Sequence, residues 1–163
     1  MKLDRRTFFA TAGAAVAGGF ALLWGGRRGE AAPGKFEFAL SDAEWRRRLG
    51  PQRYAVLREA STERSGSSPL DHEKRRGTFH CAGCGLAVYS SAAKFDSGTG
   101  WPSFFRPRPN AVATREDNGL FMKRTEVHCR RCGSHLGHVF DDGPKPTGLR
   151  YCMNGVAMKF RPA

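Results

Sequence analysis

The sequence predicts a mainly β protein, in which a short helical N-terminal arm precedes an antiparallel β domain held by a metal staple. Three observations lead there. Apolar residues keep helical spacing only as far as the loop Ser65-Gly66-Ser67-Ser68-Pro69. Beyond it, short apolar runs are separated by Gly, Pro, Asn and Asp turns. The pattern C-x-x-C-G then occurs twice, with 44 residues between the last cysteine of the first copy and the first of the second. A chain of 163 residues, 40% hydrophobic and 26% charged, can build one domain with a real core but not comfortably two.

The first 31 residues stand apart from that fold. Asp4-Arg5-Arg6-Thr7-Phe8-Phe9 leads into an uncharged run, Ala10 to Trp24, rich in Ala and Gly, and small residues follow in Gly29-Glu30-Ala31-Ala32-Pro33. Paired arginines before a short, weakly apolar segment resemble a twin-arginine export signal, cleaved after Ala31 or Ala32 and delivering the protein to the periplasm. The 15-residue run is shorter than the ~20 residues that span a bilayer, although an uncleaved leader would leave a membrane anchor. Residues 32–40 read as a linker and 41–163 as the folded domain. Of the formal charge of +12, residues 1–31 carry +3, leaving +9 on the remainder. Those cations are scattered in ones and twos, which describes a solvated surface rather than a nucleic-acid groove.

The helical arm begins at Ser41-Asp42-Ala43-Glu44, a capping box, with Trp45 and Leu49 following at helical spacing. Gly50-Pro51 ends one helix and starts another, whose apolar stripe is Tyr54, Leu57 and Ala60. Strands are expected at Thr78-Phe79-His80, Leu86 to Tyr89, Gly119 to Val127, Leu136 to Phe140 and Leu149 to Phe160.

The repeated motif comprises Cys81-Ala82-Gly83-Cys84-Gly85 and Cys129-Arg130-Arg131-Cys132-Gly133. Two intervening residues let both thiolates of a tight turn reach one ion, and the following glycine permits the positive φ that returns the chain to a strand. Four thiolates suit a structural zinc with every position closed. Iron is a minor alternative, and a pair of redox-active disulfides is another. A twin-arginine route, which carries folded proteins, favours metal loaded before export. His80 and His128 precede a cysteine each, but strand alternation turns them away from the ion.

One thiol remains. Cys152 lies in Leu149-Arg150-Tyr151-Cys152-Met153-Asn154, and on a strand Arg150, Cys152 and Asn154 share a face. The Arg150 cation is expected to favour the reactive thiolate, and Asn154 to orient a substrate or a water. A cysteine packed as a small hydrophobe is the alternative. His135-Leu136-Gly137-His138 places two imidazoles three apart, and a bulge at Gly137 would bring both to one site. A histidine beside a cysteine can serve as general acid. Gly100-Trp101-Pro102 sets an indole in a turn, where it makes a binding wall.

Three stretches, Phe95 to Phe104, Arg131 to Pro144 and Pro146 to Asn154, are similar to the signature blocks of B-type peptide methionine-R-sulfoxide reductases, and the likeness runs from about Ser41 to Phe160. The resemblance implies two coiled antiparallel sheets with short N-terminal helices, and zinc on Cys81, Cys84, Cys129 and Cys132. It also implies Cys152 as the nucleophile that reduces R-epimer methionine sulfoxide in peptides or proteins and becomes a sulfenic acid. Trp101 matches the residue packing on the substrate methyl group, and His135, His138, Arg150 and Asn154 match the pocket lining. A monomer is expected. Many members resolve the sulfenic acid with a second cysteine where this chain has Thr99. No sixth cysteine exists, so an external thiol, thioredoxin-like or of low molecular weight, is expected to do so. Gly155 stands where the family often has serine. A basic four-cysteine zinc module that binds nucleic acid and a disulfide oxidoreductase are the rival readings. The first lacks clustered cations with exposed aromatics, and the second predicts no tightly held metal.

Overall fold

The computed structural model describes residues 36–119 and 123–163, so the leader and residues 32–35 lie outside the described residues. Helix α1 (Asp42–Glu59) opens with the expected capping box: Ser41 N–H donates to Glu44 Oε2 at 2.8 Å, and Glu44 N–H returns to Ser41 Oγ at 3.4 Å. At Gly50 the backbone leaves helical geometry (φ 68°, ψ 173°) and Pro51 restarts it, so the two expected helices are halves of one kinked element. Its buried side is Trp45, Leu49, Tyr54, Val56 and Leu57. Ala60 does not belong to that stripe. It caps the helix in left-handed conformation (φ 54°) and is exposed.

Among the described residues nine strands follow in chain order: β1 (Gly77–Cys81), β2 (Ala87–Ser90), β3 (Lys94–Phe95), β4 (Ser103–Phe104), β5 (Val112–Asp117), β6 (Arg124–Cys129), β7 (His135–Phe140), β8 (Arg150–Met153) and β9 (Met158–Pro162). They form two antiparallel sheets, one of three strands in the order β2-β1-β9 and one of six in the order β3-β4-β8-β7-β6-β5. The mainly β architecture with two sheets is therefore the one expected.

Two strand assignments need correction. Leu149 to Phe160 is not one strand. β8 closes at Met153, Asn154 precedes a 3-10 turn at Gly155–Ala157, and β9 resumes in the other sheet. The backbone amides of Gly155 and Val156 are drawn off by the Glu63 carboxylate, which ends the β8 ladder and lets the chain change sheets. Of the expected strand Gly119 to Val127, residues 120–122 lie outside the described residues, and among the described ones the strand starts at Arg124. Its partner β5, which the alternation pattern did not reveal, pairs with it from Val112↔Cys129 to Asp117↔Arg124. β5 is an edge strand, and the charges of Arg115, Glu116 and Asp117 that suit an unpaired edge also hide its period.

Aromatics from both sheets meet in the core. Tyr89 stacks on Phe104 at 4.3 Å between ring centroids, and Phe79 packs edge-on against Phe104 at 4.9 Å. Each fully buried Phe contributes roughly 1.5–3 kcal/mol of burial energy. Helix α1 lies against β7 and the 3-10 turn after β8, so it buttresses the strands that carry the histidines and Cys152. Among the described residues no helix is long and apolar enough to cross a membrane.

Candidate active site and metal centre

The two C-x-x-C-G turns are built alike. Gly85 N–H donates to Cys81 O and Gly133 N–H to Cys129 O, both at 2.8 Å, and the two glycines have φ of 80° and 68°. The thiols of Cys81, Cys84, Cys129 and Cys132 are all buried, with their sulfurs within 4.8 Å of one another. Sγ of Cys81 is 3.7 Å from that of Cys132, and Sγ of Cys84 is 3.6 Å from that of Cys129. Sulfur-to-sulfur hydrogen bonding raises Cys81 and Cys129 above an ordinary thiol and lowers Cys84 and Cys132. Four buried thiols at this spacing can hold a metal ion, which would let all four ionise together.

Three arginines donate to carbonyls of the same turns: Arg48 to Gly83 O at 2.7 Å, Arg58 to Cys132 O at 3.2 Å and Arg131 to Cys84 O at 3.5 Å. Their charge would offset the negative charge of four thiolates around a bound cation. His80 and His128 are not ligands. Nδ1 of His80 lies 3.0 Å from Gly85 O, and His128 packs edge-on against Phe36.

Cys152 sits on β8, half buried, with Ser103 of β4 opposite it on one side and His138 of β7 on the other. Thr99 Oγ1 lies 3.9 Å from its sulfur. The expected thiolate activation is only part of the balance. Burial pushes the Cys152 thiol up and prevails over the Thr99 hydrogen bond, the Arg150 charge and the Ser103 hydrogen bond that pull it down. Arg150 itself is held by Asp142 through two bonds of 2.8 and 2.7 Å and lies 4.4 Å over the Phe140 ring.

The two histidines do meet. An irregularity in the β6–β7 ladder adds Leu136 between His135, which pairs with His128, and Gly137, which pairs with Val127. Their rings are 5.3 Å apart. A side chain at Gly137 would start 2.1 Å from Cys152 O, so only glycine lets β7 and β8 approach this closely.

Each imidazole is backed by a carboxylate that sequence reasoning missed. His135 Nδ1 lies 2.9 Å from Glu126 Oε1, and Arg115 also binds Glu126. His138 Nε2 lies 2.8 Å from Asp117 Oδ2, itself 2.8 Å from Arg124. Burial opposes ionisation of Glu126, but the His135 and Arg115 hydrogen bonds outweigh it and hold the group at about 2. Asp117 is also at about 2, chiefly through the Gly119 backbone amide and then His138. Burial lowers the His138 pKa despite Asp117. The second nitrogen of His135, Nε2, is buried without a hydrogen-bond partner among the described residues.

Asn154 lies one residue beyond β8, still in extended conformation. Its Oδ1 accepts from Glu63 N–H at 3.0 Å and its Nδ2 donates to Leu136 O at 3.2 Å, so both ends of the amide are taken by backbone. Trp101 is half buried, with Nε1 donating to Glu63 O at 3.2 Å. Glu63, buried and unmarked by any motif, therefore ties the Trp101 turn to the segment leaving Cys152, since its carboxylate also takes Gly155 N–H at 2.5 Å and Val156 N–H at 3.0 Å. A Cβ on Gly155 would lie 1.9 Å from Ser68 Oγ, so the space for a side chain there is already filled.

Residues 49–162 match the SelR domain family. The chain is 52% identical to a peptide methionine sulfoxide reductase MsrB of Leifsonia xyli subsp. xyli, over 82% of this chain and 97% of that one. It is 54% identical to the protein of the same name in Bradyrhizobium diazoefficiens, over 75% of this chain and 88% of that one. With the one in Methanosarcina mazei the identity is 53%, over 74% and 86%.

Proposed function

This chain belongs to the SelR-domain family and is a peptide-methionine (R)-S-oxide reductase, and on that premise we propose that it works by a one-cysteine cycle centred on Cys152. The observation that carries the proposal is the placing of Cys152 directly between His138 and Ser103, in a chain with no sixth cysteine.

The first half-reaction needs no outside acid. The Cys152 sulfur attacks the sulfoxide sulfur and forms an S–S bond; the oxygen then passes to the Cys152 sulfur as the substrate S–O and the new S–S bonds break, so that a thiol plus a sulfoxide become a sulfenic acid plus a thioether. The thiol proton ends on the transferred oxygen, and the cysteine sulfur is oxidised by two electrons. Burial keeps both Cys152 and His138 toward their neutral forms at rest, so His138 relays the thiol proton rather than starting as the charged acid. His135, whose Nε2 has no hydrogen-bond partner among the described residues, is the second imidazole that can meet the transferred oxygen. Trp101 walls the methyl group, and the Arg150–Asp142 pair fixes the rim beside the sulfur.

In the second half an external thiol, thioredoxin-like or of low molecular weight, attacks the sulfenic acid, water leaves, and a second thiol of the donor frees Cys152. The oxidised protein or peptide and this donor are its partners, and it acts as a monomer. The metal of the four-cysteine set is taken to be zinc: Zn–S bonds of ~2.3 Å arranged tetrahedrally set sulfurs about 3.8 Å apart, close to the separations present. When bound it would hold the two turns together and take no part in the redox steps. The paired arginines of the leader support twin-arginine export and a periplasmic location.

The decisive assay sets Cys152→Ser beside wild type on both sulfoxide epimers. Loss of R-epimer reduction in the variant is expected, and equal activity would overturn the cycle. One turnover without reductant should leave a sulfenic acid on Cys152 and no intramolecular disulfide by mass spectrometry. Metal analysis should find one zinc per chain, and fractionation of an Arg5→Lys, Arg6→Lys variant should show the protein retained in the cytoplasm.

A further inference from the structure

Beside Cys152 this chain presents a continuous run of hydroxyls. Ser103 Oγ lies 3.1 Å from Trp101 O, Ser97 Oγ is 2.7 Å from Ser103 Oγ and 2.8 Å from Thr99 Oγ1, and Thr99 Oγ1 is 3.9 Å from Cys152 Sγ. Ser103 is fully buried and stands in register with Cys152 across β4 and β8. The run therefore has the Trp101 carbonyl at one end and the nucleophilic sulfur at the other.

Each hydroxyl has one hydrogen to give, and the carbonyl end can only accept. With Cys152 as a thiol, all four contacts can be made in one direction: the thiol donates to Thr99, Thr99 to Ser97, Ser97 to Ser103 and Ser103 to Trp101 O. Loss of the thiol proton leaves three hydrogens for four contacts. The thiolate is the strongest acceptor of the set, so the hydroxyls rotate: Thr99 donates to sulfur, Ser97 to Thr99 and Ser103 to Ser97. The Trp101 carbonyl then gives up its Ser103 partner.

We propose that Thr99, Ser97 and Ser103 form a reversible hydroxyl chain that turns its donors toward Cys152 when the nucleophile ionises, with Thr99 the catalytic residue at the sulfur, Ser97 positioning it, and Ser103 closing the chain opposite Cys152. This rests on Cys152 being the nucleophile, which the Cys152→Ser assay tests separately. The chain supplies at the thiolate what burial removes, and none of its donors can form a disulfide. The other charged groups facing the sulfur are Arg150 with Asp142 behind it, and His138 with Asp117 behind it. None belongs to the chain.

The test is the pH profile of Cys152 alkylation by iodoacetamide, read on the Cys152 peptide by mass spectrometry with metal-loaded full-length protein and no sulfoxide present. Thr99→Val keeps the shape and removes the hydroxyl. Its profile should move up by about one pH unit, seen as roughly tenfold slower alkylation at neutral pH. Thr99→Ser should restore the wild-type profile. Ser97→Ala should displace the profile in the wild-type background by a smaller amount, and by less again in the Thr99→Val background, where only the route through Ser103 to the sulfur remains. A Thr99→Val profile that superimposes on wild type overturns the proposal. So does a Ser97→Ala displacement that is absent in wild type or is as large without the Thr99 hydroxyl as with it.

Discussion

His138 and Cys152 are direct partners across strands β7 and β8, while the far nitrogen of His138 is held at 2.8 Å by Asp117. Directly opposed residues on one sheet face have Cβ atoms about 4.5–5.5 Å apart, which puts the imidazole within reach of the sulfur or of an oxygen on it. His138→Gln should lower kcat/KM by about 10²–10⁴ with the thiol still present. Asp117→Asn should cost less and move the acid limb of the pH–rate profile downward. The sign follows from the carboxylate, which raises the His138 pKa against burial. Without it the imidazole stays neutral to lower pH. An acid limb that moves upward in Asp117→Asn would show that His138 is not the titrating group.

Glu126 couples the site to acid stability. Its folded pKa of about 2 lies below the ordinary glutamate value of 4.5, so its contribution is present above about pH 4.5 and is lost as pH falls toward 2. Glu126→Gln should be less stable than wild type at pH 7 by roughly 1–3 kcal/mol, after discounting for the exposed Arg115 partner. The two melting curves should converge near pH 2. A constant difference in Tm from pH 7 to pH 2 would place the cost in packing rather than in the ionised pair.

These carboxylates explain where the sequence was legible and where it was not. Cys81, Cys84, Cys129 and Cys132 announce themselves because metal ligation dictates spacing within a turn. Cys152 is legible as the thiol left over, and His135 with His138 as a close pair. Glu126 and Asp117 meet the histidines only through strand pairing, from 9 and 21 residues away, so no local pattern marks them. β5 was hidden by the same charges that protect its edge. The break after Met153 could not be read either, because the residue that makes it, Glu63, is more than 90 positions away.

Gly155 follows Asn154 closely behind the nucleophile, and Ser68 fills the place its side chain would need. A serine introduced at Gly155 would bring its Cβ to 1.9 Å from Ser68 Oγ and 2.4 Å from Ser68 Cβ. Gly155→Ser alone should therefore destabilise the protein by about 1–3 kcal/mol through overpacking. Adding Ser68→Gly should recover most of the loss, since it removes both clashing atoms. Equal Tm for the single and double variants would mean that the strain lies in the backbone and not between these two residues.

Glu63 should matter to substrate binding although no part of it needs to touch substrate. Its carboxylate takes the amides of Gly155 and Val156, and its own backbone holds Asn154 on one side and the Trp101 indole on the other. Glu63→Ala leaves two N–H groups behind the nucleophile without acceptors, at about 1–3 kcal/mol each. Glu63→Gln keeps one acceptor oxygen and should lose roughly half as much. Because the Trp101 turn and the β8 exit shift together when this tie is cut, KM for peptide methionine sulfoxide should rise in Glu63→Ala more than kcat falls. Cys152 stays on its strand and keeps both cross-strand partners. A variant that loses kcat at unchanged KM would show that Glu63 acts on the chemistry at Cys152 rather than on the binding wall.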